Sequence, residues 1–226
     1  MKQRWSRRRE IAAVRALLLA TCTGIASLPS AATIPNRNPD RQHYSDRLSV
    51  ARTAYFKVIT SNDHAADSQA HQALATLEHE YPGDPVAKAY HGSLQLLDAA
   101  HNWQIWNLHK QASDGLNLLD EAVTQAPDEP EARFIRAATS WHLPGFYHRK
   151  AQCERDFSLL ASRAEQDVRQ GKLPPELAAA AYNYWGQILV GRSDRDGAKQ
   201  AFGTAIRIAP QSPGGQDAGR RLRQVQ

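Results

Sequence analysis

A chain of 226 residues, 42% apolar and 23% charged, has the length and composition to bury a sizeable core, which excludes a disordered segment and a polytopic membrane protein. Its formal charge of +5 invites a nucleic-acid reading, but six of the 28 basic residues lie within positions 1–32 against the single acid Glu10, leaving 22 of each sign elsewhere. A neutral remainder lacks the clustered positive charge of a phosphate-backbone binder, so no nucleic-acid partner is expected.

The first 32 residues have three parts. Lys2, Arg4, Arg7, Arg8, Arg9 and Arg15 make a basic stretch, an apolar run follows from Ala16 to Leu28, and small residues surround Pro29 and Ala32. That order is the one of a secretory signal peptide, with cleavage expected after Ala32. The run from 16 to 28 is too short to cross about 30 Å of hydrocarbon. The pair Arg8-Arg9 partly resembles a twin-arginine signal, and Leu19-Ala20-Thr21-Cys22 partly resembles a lipoprotein box, so the export route and the lipidation of Cys22 stay open. The expected location is the periplasm, with the membrane reached only through an uncleaved signal or a lipid anchor. Removal of the signal leaves Cys153 as the sole thiol, which excludes an intramolecular disulfide and predicts a buried side chain.

Residues 33–43 are polar and proline-bearing and read as a linker, with the folded domain spanning 44–226. From Tyr44 onward apolar residues recur at helical spacing rather than in alternation. Pro85, Pro130 and Pro174-Pro175 mark helix starts, where the missing N–H of proline costs nothing. Cys153, Phe157, Leu160, Ala164 and Val168 follow steps of three and four, on one helical face. A short final helix is expected near Asp217–Arg223.

The helices come in pairs that close alike, at Tyr81-Pro82-Gly83-Asp84-Pro85, Ala126-Pro127-Asp128-Glu129-Pro130 and Ala209-Pro210-Gln211-Ser212-Pro213. Ala198, Phe202 and Ala205 lie twelve, eight and five residues before Pro210; Gly115, Leu119 and Ala122 hold the same offsets before Pro127, and Ala70, Leu74 and Leu77 before Pro82. This is internal repetition of a helix-pair unit. Extra residues near His101–Gln111, the Leu143–Tyr147 turn and a long helix before Gly171 account for the uneven spacing of the units.

The last unit, with Tyr182, Trp185, Gly186, Ala198, Phe202, Ala205 and Pro210 in register, resembles the tetratricopeptide repeat, with Leu189 where a tyrosine is usual. Gly186 and Ala198 would let two helices approach closely while Phe202 fills the seam. The central stretch, with Trp103, Trp106, Gly115, Asp120, Glu131, Arg133, Trp141 and Phe146, is similar to exported bacterial tetratricopeptide proteins of no assigned chemistry. The resemblance implies an all-α fold: a right-handed solenoid of about four degenerate antiparallel helix pairs with a C-terminal capping helix. It also implies a concave groove lined by first helices, where Asn183 and Gln187 of the last unit and Phe134 and Trp141 of the third would meet a partner. Trp103 and Trp106, in the extra segment, serve either as interface anchors or as packing.

Catalytic patterns are sparse. No two of the nine histidines stand three or four apart, so no metal centre is expected, nor any other cofactor. Cys153 with His142 or His148 could be drawn as nucleophile and base, but Cys153 stands on the apolar stripe. No phosphate loop, Gly-x-Ser-x-Gly or zinc-protease helix occurs. The expectation is a scaffold or adaptor that holds a protein or peptide without catalysis. The alternatives are an accessory subunit of an envelope transporter or assembly machine, and a Cys/His-dependent enzyme on helical repeats.

Overall fold

The computed structural model describes the backbone of residues 39–60, 64–101 and 105–225, and the side chains of 40–60, 65–99 and 110–225. The signal peptide, Cys22, residues 33–38 and Trp103 lie outside the described residues, as does the side chain of Trp106. Every regular element among the described residues is helical, and none is long and apolar enough to cross a membrane. The helices fall into two compact units, divided after Gln125.

The N-terminal unit holds α1 (Pro39–Thr60), α2 (His64–Glu80), α3 (Pro85–His101) and α4 (Ile105–Gln125). The helix α1 begins inside the stretch read as linker, so residues 39–43 are structured. Asp40 in the first turn complements the helix dipole, and His43 and Arg47 reach Glu80 of α2 at 3.0 and 2.7 Å. The extra segment lengthens α4, which runs through Gln111 without a break.

In the C-terminal unit stand α5 (Pro130–Trp141), a 3-10 turn (Gly145–Tyr147), α6 (Lys150–Arg169), α7 (Pro175–Gly191), α8 (Arg195–Ile208) and α9 (Pro213–Leu222). Proline opens α3, α5, α7 and α9, as the sequence predicts for the first three. The side chains of Glu129, Asp194 and Ser212 accept from the backbone N–H groups of Glu131, Gly197 and Gly215, capping α5, α8 and α9. With Ser212 and Pro213 in those roles, the last helix starts a turn earlier than expected.

Within each unit, paired helices run antiparallel. Arg47 early in α1 bonds Glu80 at the end of α2, and Lys88 at the start of α3 bonds Gln125 at the end of α4. Asp128 ahead of α5 pairs with Arg163 late in α6, and Glu154 early in α6 with Arg192 just past α7. The residues at repeating offsets are the ones that pack. Ala70, Leu74 and Leu77 on α2, Gly115, Leu119 and Ala122 on α4, and Ala198, Phe202 and Ala205 on α8 are all buried. Cys153, Phe157 and Leu160 on α6 have the same spacing of four and three and are buried too. Each of these four helices therefore buries a small residue and, four positions on, a large one.

Two crossings depend on glycine. A Cβ on Gly92 of α3 would stand 2.6 Å from the carbonyl oxygen of Gly115 on α4, and a Cβ on Gly115 would stand 2.6 Å from that of Gly92. The backbones thus touch directly. At the α7–α8 crossing a Cβ on Gly186 would lie 2.5 Å from the Phe202 ring, so the aromatic ring occupies the place of a side chain, as the sequence suggests.

One charged cluster sits inside the C-terminal unit. Asp156 of α6 is 3% exposed and accepts from Arg136 through Nε and Nη2 at 2.9 and 2.8 Å, and from Arg133 Nη1 at 2.8 Å. Arg133 also donates to the carbonyl oxygen of Pro127 at 2.6 Å. The forked geometry satisfies both carboxylate oxygens and ties α5 to α6.

Candidate partner-binding surface

In the C-terminal unit, α5 runs out at Trp141 and the chain turns through Leu143–Arg149 before α6 begins. Pro144 and Gly145 accept backbone hydrogen bonds from Tyr147 and His148, both at 3.0 Å, and His148 takes the left-handed backbone region at φ 54°. The turn pushes its aromatic residue outward. Phe146 is 65% exposed, and its ring lies 4.6 Å from that of Tyr147. An exposed aromatic ring held on a hydrogen-bonded turn offers large contact area at small entropic cost to a partner.

Behind the turn the aromatics point inward. Phe157 stacks on Tyr184 at 4.6 Å and 20°, and Trp141 meets both edge-on, at 6.1 and 6.2 Å. Phe134 closes the cluster at 6.5 Å from Phe157. Trp141 is partly buried, whereas Phe134 is a core residue at 4% exposure. Phe134, expected on a groove, therefore offers no surface to a partner in this conformation, because Phe157 takes up its ring.

Asn183 departs from its expected groove position in the same way. It is fully buried, and its Nδ2 donates to Asp217 Oδ2 of α9 at 2.9 Å, while Arg220 and Arg221 hold the same carboxylate at 3.0 and 2.7 Å. The last helix packs over that face of α7 and covers it. Gln187, one turn further on, is partly buried, and the next residue on the stripe, Val190, is 42% exposed. Of the expected partner-binding residues with described side chains, Trp141 and Gln187 keep accessible surface.

The candidate nucleophile is poorly placed for chemistry. Cys153 is fully buried, and burial together with the nearby Asp156 carboxylate pushes its thiol up to about 12. A thiol that stays protonated in a sealed helix seam has neither the thiolate nor the access that nucleophilic catalysis needs.

His142 is perturbed by the same packing. Its Nε2 lies 3.0 Å from the Tyr184 hydroxyl, and burial pushes the imidazole down to about 4. The unfolded imidazole takes a proton near pH 6.5, the folded one only near 4, so its contribution to stability is complete above 6.5 and is lost as pH falls toward 4. The full loss is about 3 kcal/mol. Urea midpoints measured between pH 4 and 7 should show this decline in the parent chain, and His142→Gln should flatten it by that amount.

The N-terminal unit carries histidine–carboxylate contacts instead. His91 Nδ1 lies 2.9 Å from Glu78 Oε1, a hydrogen bond that raises the imidazole above its usual range against the opposing effect of burial. On the same α2–α3 seam His71 Nε2 lies 3.1 Å from Asp98 Oδ2. Spacing along one helix shows none of these contacts, because each joins residues of different helices. No protein-family model, curated protein or solved structure matches the chain.

Proposed function

We propose that this chain is an exported scaffold or adaptor, built of tetratricopeptide-like helix pairs, that holds a partner protein or peptide and performs no catalysis of its own. The three-part amino terminus supports export. Four second helices that each bury a small residue and, four positions on, a large one support the repeat reading. The observation that carries the binding role is the exposed Phe146 ring, packed against the partly buried Tyr147 on a turn that follows a partly buried tryptophan. Aromatic anchors of this kind dominate protein interfaces, whereas a folded chain gains little by exposing them.

The test is photo-crosslinking in the native envelope from position 146, with position 110 as control, since Lys110 is exposed in the other unit. A discrete adduct from 146 that is missing from 110 is the expected result. Phe146→Ala should weaken capture of that partner at least about tenfold, the effect of losing ~1.4 kcal/mol of contact. Thermal stability should stay within about 0.5 kcal/mol, because the ring is exposed. Equal adducts from both positions, or undiminished capture by Phe146→Ala, would overturn the assignment.

A further inference from the structure

We propose that Asp67, His71 and Asp98 form a binding site for a divalent transition-metal ion on the α2–α3 seam. Asp67 and His71 stand four residues apart on α2 and therefore share a face. Asp98 comes from α3, and one donor atom from each of the three lies within 4.8 Å of the others. His71 Nε2 and Asp98 Oδ2 are already 3.1 Å apart. Around a tetrahedral zinc ion, with bonds of about 2.0–2.2 Å, neighbouring donors are separated by roughly 3.4 Å. Small side-chain rotations bring the three into that range, and the antiparallel seam, also joined by His91 and Glu78, fixes the relative position of the two helices.

The donor set matches the ion in charge and in type. Two carboxylates with a neutral imidazole carry a charge of −2, which offsets a dication. An imidazole nitrogen favours zinc and its neighbours over magnesium or calcium, which take oxygen donors. The side chains of His71 and Asp98 are 44% and 33% exposed, so an ion reaches them from solvent and water completes its coordination. Without an ion His71 and Asp98 make a partly exposed contact of small energetic worth.

The experiment is calorimetric titration of the chelator-stripped full chain with zinc chloride, beside His71→Gln, Asp67→Asn and His79→Gln. His79 is exposed on the last turn of α2 and serves as the control. A saturable site is expected, weakened at least about tenfold by His71→Gln and by Asp67→Asn and unchanged by His79→Gln. A zinc-dependent rise in Tm should disappear in the same two variants. All three substitutions lie at solvent-accessible positions, and circular dichroism would establish that each variant keeps its helices. Absence of a saturable site, or zinc affinity unchanged by His71→Gln or by Asp67→Asn, overturns the proposal.

Discussion

Asp156→Ala should lower the stability of the C-terminal unit by about 3–5 kcal/mol and its Tm by more than about 10 °C. The carboxylate removed is 3% exposed and is the acceptor for three hydrogen bonds from Arg133 and Arg136. Taking it away strips the Arg136 guanidinium, whose side chain is 10% exposed, of its forked bonds to that carboxylate. The cost then comes less from the lost attraction than from a cation that water cannot reach. Asp156→Asn keeps an acceptor and the side-chain shape but removes the charge, so it should fall between the parent and Asp156→Ala. Chemical denaturation of the three proteins checks the order, and an alanine variant within 1 kcal/mol of the parent would show that the arginines find other partners.

Gly92→Leu should be as severe, at roughly 4 kcal/mol, with Gly92→Ala costing about 1–3. Even a Cβ at this position meets the Gly115 carbonyl oxygen at 2.6 Å, the Leu118 Cβ at 2.9 Å and the Leu119 backbone nitrogen at 3.1 Å. Two of those three are backbone atoms, which cannot rotate away. Both replacements raise intrinsic helix propensity by close to 1 kcal/mol, so any destabilisation must arise from the crossing and not from the helix. Gly203→Ala supplies the comparison: nothing lies within 4 Å of a Cβ there, and helix propensity alone should make that variant slightly more stable. Thermal melts of the three variants read the contrast directly.

Much of this architecture was legible in the chain because helices announce themselves locally. The prolines at 85, 130 and 175 open helices, and the residues twelve, eight and five positions before each turn proline are the buried ones. Gly186 against Phe202 followed from the resemblance, and the burial of Cys153 followed from its place on the apolar stripe. What escaped notice depends on neighbours distant in sequence. Asn183 is polar and sits on a first helix, which suggests a groove; only the later Asp217 turns it into a buried joint. Asp98 stands far along the chain from Asp67 and His71, so the α2–α3 packing alone brings the three together. The start of α1 was missed for a compositional reason. Residues 39–43 are polar, and the partner of His43 is Glu80, near the other end of the hairpin.

The contact between Gly92 and Gly115 also bears on how such a chain changes over generations. Because each glycine rests on the other's carbonyl oxygen, enlarging one cannot be offset by shrinking the other, which has no side chain left to lose. Compensating double substitutions, the usual route by which packed seams drift, are closed at this point. The flanking leucines remain free to exchange volume, while the two glycines are expected to persist together in descendants that keep this hairpin. In distant relatives their fixed spacing would then outlast the tryptophans and histidines as a landmark of the N-terminal unit.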